Sequence, residues 1–357
     1  MPWLDTARSD FKSAFDYFWN SWGSAQEDLL LIVCGSTTSW IISNILKDKG
    51  GFHNRITRQI HINPFSLGEC KRFYLENGFS INRDQMIESY MIFGGIPYYL
   101  NLLDSRMSLA QNVESLIFDE RGDLHYEYDQ LFKSLFKKPD NHVKVIETIA
   151  GQKRGLQRSE IVKKSDVSDG EGLTKAIREL EQCGFIRQYK NITTAQKGSF
   201  FQAIDPFVLF CLYFRGQKIK SWQSFNKSPD YYTWRGYAFE TVCLIHIPQI
   251  KTALGISGVE SSEYSWRSKK KKGGAQIDLL IDRRDDVINL CEMKCTDKVY
   301  EVTADYRENL INKVASFTEE VNSRKSVHVT LITSNGFKRN EYSDVVQNDV
   351  GPDSLFI

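Results

Sequence analysis

The feature that most constrains this chain is an apolar hairpin with carboxylates set into it. Ile277-Asp278-Leu279-Leu280-Ile281 reads as one strand, residues 283–286 as a polar turn, and residues 287–294 as the returning strand. A period of two puts Ile288, Leu290, Glu292 and Lys294 on one face of the second strand. With regular pairing, Asp278 sits across the hairpin from Glu292. Leu290, Cys291 and Met293 surround Glu292, and Leu279 and Ile281 follow Asp278. An unpaired carboxylate is costly to bury, so two of them in core strands call for a cation or a shared proton. A hard divalent ion takes oxygen ligands, lowers the pKa of a bound water and stabilises charge on a phosphodiester. Lys294 would orient that water or stabilise the developing negative charge.

A helix over residues 234–246 carries Gly236-Tyr237-Ala238-Phe239-Glu240 and brings a third carboxylate. An Asp followed one strand later by E-x-K also arises by accident on half-exposed sheets. The buried character of these strands and the preceding G-x-x-F-E helix favour a site. The rest of the composition says less about chemistry. Lysine plus arginine number 46 against 45 acidic residues, so the whole-chain charge neither favours nor excludes nucleic acid. The seven cysteines are scattered without a CxxC pair, which points to reduced thiols and away from a zinc site. No apolar run approaches the roughly 18 residues of a membrane span. Met1-Pro2-Trp3-Leu4-Asp5 does not open a secretory signal. The expectation is a soluble, cytoplasmic protein.

The chain reads as an α/β multidomain protein. Residues 7–22 form an aromatic-rich helix through Phe11, Phe15, Phe18 and Trp22. Residues 29–34 (LLLIVC) and 58–62 predict strands, the first with the unbroken apolar character of a doubly covered parallel strand. A helix between them runs through Trp40, Ile41, Ile45 and Leu46 to Gly50-Gly51. Residues 66–135 read as all-helical, with Asn82 as an N-cap and Pro97 opening a helix after Gly94-Gly95. Residues 141–204 predict three helices and a small hairpin, a winged helix-turn-helix. Ser168-Asp169-Gly170-Glu171 offers a capping box for its third helix. The helix at 206–214 is apolar nearly all round, as expected of one buried between units, and the polar stretch 216–230 precedes the last domain.

Gly236-Tyr237-Ala238-Phe239-Glu240, Ile277-Asp278 and Glu292-Met293-Lys294 together resemble the PD-(D/E)XK nuclease pattern, with Ile277 where the proline usually stands. The chain also resembles a family of bacterial and archaeal AAA-type ATPases. In that family an ATPase core is followed by a helical lid, a winged helix and a restriction-endonuclease-like domain. The resemblance implies a partial ATPase core over residues 1–64, a lid over 65–138, a winged helix over 139–215 and a nuclease-like domain over 216–357. It implies Mg²⁺ or Mn²⁺ on Asp278, Glu292 and Glu240, a catalytic Lys294, DNA as substrate and ATP as the family's nucleotide. Pro2-Trp3-Leu4-Asp5 resembles the segment following the family's acidic Walker B strand. Gly35-Ser36-Thr37 resembles its polar sensor strand, and Arg55 holds the place of an arginine finger. No G-x-x-x-x-G-K-[ST] loop is present, so no backbone nest remains to cradle phosphates. The chain reads as a family member lacking its first motifs, with a separately encoded ATPase half or a second copy as partner. A helix cap and a surface charge are the favoured readings of Ser36 and Arg55.

Secondary nucleic-acid candidates are Lys175 and Arg178 on the third winged-helix helix, beside Thr174 and Gln182. Glu171, Glu179 and Glu181 dilute that charge, which leaves an interaction module as likely as a DNA reader. Arg267 and the run Lys269, Lys270, Lys271 and Lys272 precede the Asp278 strand and suit phosphate contacts, or a solvated hairpin tip. The histidines show no metal-ligand spacing. The competing functions are a metal-dependent nuclease domain, a non-catalytic nucleic-acid- or protein-binding regulator, and an inactive fragment. Without a phosphate nest the purified protein should give no saturable heat with Mg²⁺-ATP in calorimetry. Micromolar binding would reveal a nucleotide site built from other residues.

Overall fold

The computed structural model describes residues 4–6, 8–35, 41, 56–152, 155–192, 198–216, 219, 221–268 and 275–357. Helix α1 (Phe11–Ser21) stacks Phe11 on Phe15 at 5.8 Å and ends with Phe18 against Trp22 at 5.4 Å. None of its residues is buried. Residues 26–35 and 56–66 follow neither helix nor strand, and Leu30, Ile32, Ile60 and Ile62 are exposed. The strands expected at 29–34 and 58–62 therefore do not form among the described residues. Strand-forming side chains need a ladder partner, and none of the described strands pairs with either segment. The helix expected at 40–46 lies, apart from Ile41, outside the described residues.

The helical reading of 66–135 agrees with the structure. Helix α2 (Leu67–Glu76) starts on a Ser66–Glu69 capping box, and α3 (Arg83–Phe93) on an Asn82–Gln85 box. Gly94 stops α3 with φ +63°, and a Cβ on Gly95 would sit 1.9 Å from the Phe65 carbonyl oxygen, so both positions need glycine. Then come α4 (Pro97–Asn101) with Pro97 at its start, α5 (Leu109–Val113) running into a π-turn, and α6 (Glu127–Leu135).

Three further helices, α7 (Asp140–Ala150), α8 (Arg158–Ser165) and α9 (Glu171–Gln182), surround a core of Val145, Ile149, Ile161, Leu173, Ile177 and Leu180. Short strand β1 (Leu156–Gln157) and the hairpin β2 (Ile186–Asn191) and β3 (Phe200–Ala203) close this unit. The expected capping box on α9 does not form: Gly170 is the N-cap and makes no side-chain bond. Arg158 takes the local acceptors instead, donating to Asp169 at 2.7 Å and to the Gly170 carbonyl at 3.2 Å. Glu179 also departs from expectation. It is buried and bonds His142 at 2.8 Å, and the imidazole stacks on Phe136 at 3.9 Å.

Helix α10 (Pro206–Gly216) joins two cores. Val208 belongs to the three-helix unit, whereas Phe207, Phe210 and Phe214 enter a larger core. That larger core is continuous from α2 and α3 through α11 (Trp222–Phe225), α12 (Pro229–Ile245) and α13 (Ile247–Ala253) to the sheet residues Leu279, Ile281 and Cys291. The helices of 67–125 and the C-terminal unit thus share one hydrophobic interior.

Strands β4 (Ser261–Arg267), β5 (Gln276–Arg283) and β6 (Val287–Lys294), helix α14 (Ala304–Val321), and strands β7 (Ser326–Thr333) and β8 (Asn348–Val350) complete the chain. The described strands form one mixed sheet in the order β1-β3-β2-β4-β5-β6-β7-β8. Parallel pairing of β2 with β4 joins the hairpin to the C-terminal strands. Everything from α14 onward, and β4 itself, went unread in the sequence. Among the described residues no helix is long and apolar enough to cross a membrane.

The His142–Glu179 pair generates a stability prediction. Removing one partner strands the other in a dry site, so Glu179→Ala should lower the unfolding free energy by about 2–4 kcal/mol. Glu179→Gln keeps an acceptor and should cost less than about 1.5 kcal/mol, as urea denaturation would measure.

Candidate functional site

The β5–β6 hairpin forms where the sequence placed it, with Leu279 opposite Cys291 and Leu280 opposite Leu290, and Asp286 in the turn at φ +63°. Each face meets a different helix. Leu279, Ile281 and Cys291 pack with Phe239, Val242 and Cys243 of α12. Leu280, Ile288 and Leu290 pack with Trp266 and with Phe317 of α14.

The alternation breaks at Asp278. Along β4 the partner of Tyr264 is Leu280 and the partner of Trp266 is Ile277, so two steps on β4 span three on β5. The extra residue is a β-bulge, which re-aims the side chains beside it. Ile277 joins Leu280 in the α14-side core, although regular alternation would separate them. Asp278 turns to the α12 side, where it lines a cavity together with Glu240. Gln276 Nε2 donates to its carboxylate at 2.7 Å. Arg187 of β2 also faces it: burial lowers the Arg187 pKa to about 10, while Tyr189, Asp278 and Glu263 oppose that shift.

Strand β6 keeps its alternation through an unbroken register with β7, so Glu292 shares the face of Leu290. It is buried and spends both oxygens on α14. Tyr306 Oη donates to Oε2 at 2.7 Å, and Lys313 Nζ contacts Oε1 at 2.5 Å. Burial, together with the adjacent Glu292 charge, pushes the Tyr306 hydroxyl pKa far up. Lys294 Nζ sits 4.1 Å from the Tyr306 ring centroid. Burial lowers the Lys294 pKa, Glu292 and Glu240 raise it, and Lys313 lowers it. Lys294 at the strand end therefore senses carboxylates on both sides of the sheet.

The expected sharing of one ion by Asp278 and Glu292 is not what the structure shows. The bulge places them on opposite faces, and Lys313 already neutralises Glu292. Among the described residues, no three His, Cys, Asp or Glu side chains are grouped to hold a metal ion. As placed, Glu240, Asp278 and Glu292 do not fit a shared divalent site.

Of the remaining candidates, Lys175 and Arg178 are exposed on α9, with Thr174 beside them donating to the Gly170 carbonyl at 2.9 Å. Arg267 is exposed at the end of β4. Ser36, Thr37, Arg55 and Lys269, Lys270, Lys271 and Lys272 lie outside the described residues. Tyr306 and Lys313 were missed. Their signal was present: Tyr306, Leu310, Lys313 and Phe317 recur at helical spacing, which puts a phenol and an ammonium in a core-facing stripe.

The cavity that takes Asp278 and Glu240 measures about 380 Å³ and lies between α7, α10, α12 and β5. Its walls include Phe210, Tyr213, Trp234 and Tyr237, and Glu147 of α7 supplies a third carboxylate. None of the described residues lining it is Lys, Arg or His.

Comparison with known proteins adds little to this geometry. No protein-family model matches the chain. It is 28% identical over 188 residues to an uncharacterized protein, MJECL04, of Methanocaldococcus jannaschii, matching 52% of this chain and about 40% of that protein's length. Among solved structures it is similar to protein VC1899 from Vibrio cholerae at 13% identity, over 66% of this chain and 51% of the other. The TM-score is 0.24, too low to bear on the fold.

The buried pair on α14 yields a second prediction. Lys313→Met should remove the ion-pair partner of Glu292, leaving it Tyr306 and the neighbouring Lys294, and cost about 2–4 kcal/mol. Adding Glu292→Gln should restore much of the loss, and a double-mutant cycle from chemical denaturation would read the coupling. Additive effects would show that the two groups do not interact.

Proposed function

We propose that this chain is a non-catalytic nucleic-acid-binding regulator. On this reading residues 139–215 act as a winged helix that docks duplex DNA. Residues 216–357 have the frame of a PD-(D/E)XK nuclease, used for binding and not for cleavage. The observation that carries the non-catalytic part is the placement of Asp278 and Glu292 on opposite faces of the β5–β6 hairpin. Both Glu292 oxygens already accept from an ammonium or a phenol, so a metal ion there would have to compete with Lys313 for the carboxylate's charge.

The DNA part is supported by α9. Glu179, which dilutes positive charge when the sequence alone is read, turns inward to His142. The exposed side of the helix keeps Lys175 and Arg178 alongside Glu171 and Glu181, and Lys163 and Lys164 add positive charge at the exposed end of α8. Arginine and lysine at such positions neutralise phosphates and release counterions, which gives salt-dependent affinity.

A second reading, metal-dependent phosphodiester hydrolysis, is favoured by one observation. The Lys294 ammonium lies within the influence of both Glu292 and Glu240, two of the groups the nuclease pattern would use.

Both readings are open to one set of measurements. Lys175→Glu with Arg178→Glu should weaken binding to a labelled duplex at least about tenfold and reduce the salt slope by about 2. The melting temperature should not move, since both side chains are exposed. Unchanged affinity would remove the winged-helix reading. Wild-type protein with Mn²⁺ should leave supercoiled plasmid intact; cleavage that disappears in Lys294→Ala would establish the hydrolytic reading in its place.

A further inference from the structure

His246 sits at the corner between α12 and α13 and is buried. Both of its ring nitrogens are engaged. Nε2 accepts the Leu67 backbone N–H at 2.9 Å, and Nδ1 donates to the Val242 carbonyl at 2.8 Å. A backbone N–H can only donate and a carbonyl can only accept, so the ring is the neutral tautomer with its proton on Nδ1. Tyr90 of α3 packs edge-on against it, with ring centroids 5.0 Å apart.

The bond to Leu67 ties two distant parts of the chain. Leu67 opens α2, and its N–H is one of those that a helix leaves without a partner in its own first turn. Ser66 caps the Glu69 N–H from within the helix, whereas the Leu67 N–H is met by a residue 179 positions away. The end of the chain presses on the same turn. A Cβ on Gly68 would stand 2.5 Å from the Phe356 carbonyl oxygen, so the last turn (Pro352–Phe356) leaves no room beside it. A proton on Nε2 would remove the acceptor and set two N–H donors against each other. It would also place a positive charge at the positive end of the α2 dipole.

We propose that His246 is an acid-released latch, which holds the first turn of α2 to the C-terminal unit when neutral and frees it when protonated. Burial lowers the His246 pKa, and the Val242 bond opposes that shift. His246 lines a cavity of about 760 Å³ with Glu69 and Arg72 of α2, Tyr90 of α3, Asp205 before α10 and the terminal Ile357. The Glu69 carboxylate is engaged by the Ser66 backbone N–H and hydroxyl, with Arg72 near it, and Ile357 is exposed. Burial raises the Asp205 pKa to about 6, so this carboxyl gains its own proton as the pH falls. Burial likewise keeps Cys70, Tyr90 and Cys243 protonated, and Lys251 of α13 pairs with Glu263. A base whose folded pKa is depressed contributes stability above its unfolded pKa of ~6.5 and loses it as the pH falls below that value. The latch is independent of DNA binding, since Lys175 and Arg178 take no part in it.

The test compares the full chain with His246→Gln, whose side-chain oxygen can accept the Leu67 N–H at any pH. Between pH 7.5 and 5, urea denaturation should show the wild-type folding equilibrium falling up to about thirtyfold further than that of the variant. The other histidines are common to both chains and cancel in that ratio. Over the same range the protection of the Leu67 amide against hydrogen exchange should fall in wild type and hold in the variant. Nitrogen-15 spectra of the wild-type ring should show the Nδ1–H tautomer at pH 7.5 and proton uptake only below about pH 6.5. Parallel pH profiles for the two chains, or a His246 ring that charges while Leu67 stays protected, would overturn the assignment. Should the variant fail to fold, the ring titration and the Leu67 exchange of wild type decide the matter by themselves.

Discussion

Burying the Glu292 carboxylate between β6 and α14 would cost several kcal/mol unless the same burial supplied a cation and a donor. Lys313 and Tyr306 meet that requirement from one helix, two turns apart, and so fix the rotation of α14 about its axis. The docking of α14 then sets the covering of the sheet. Phe317 packs against Trp266 at 5.4 Å, and Leu310 joins Val329 and Leu331 of β7. A charge in the wrong place for an ordinary core is what orients the layer above it. The cost is that Glu292 is occupied.

What the sequence revealed of the site was its parts more than their arrangement. The hairpin, its turn and the helix bearing Glu240 could be read from alternation and helical spacing, because those signals are local. The bulge could not. It is a mismatch between β5 and β4, and β4 went unread, so Asp278 was assigned to a face by a rule that holds only in regular strands. Glu179 shows the same limit on a helix. Its partner His142 lies 37 residues earlier, and nothing near Glu179 in sequence marks it as buried. The N-terminal strands failed for the opposite reason. Residues 29–34 have strong local character, but character alone supplies no neighbouring strand.

The all-apolar helix α10 was legible as a buried connector, and its role proves larger than connection. By giving Val208 to one core and Phe207, Phe210 and Phe214 to the other, it makes the three-helix unit and the C-terminal unit share a wall. The cavity lies along that wall, which is why its carboxylates come from both units. Neither unit alone would enclose it.

The parallel pairing of β2 with β4 has a mechanical consequence. Strand β2 follows directly on α9, and β4 is the strand against which β5 bulges at Asp278. One run of paired strands therefore leads from β2, next to the exposed helix, through β4 to Asp278 at the cavity wall. Ligands that bound at both ends of such a sheet would be linked in free energy to the extent that either one shifted it. By reciprocity, the factor by which the first changes the affinity of the second is the factor returned. A sheet that crosses between two units in this way can serve as a transmission as well as a support.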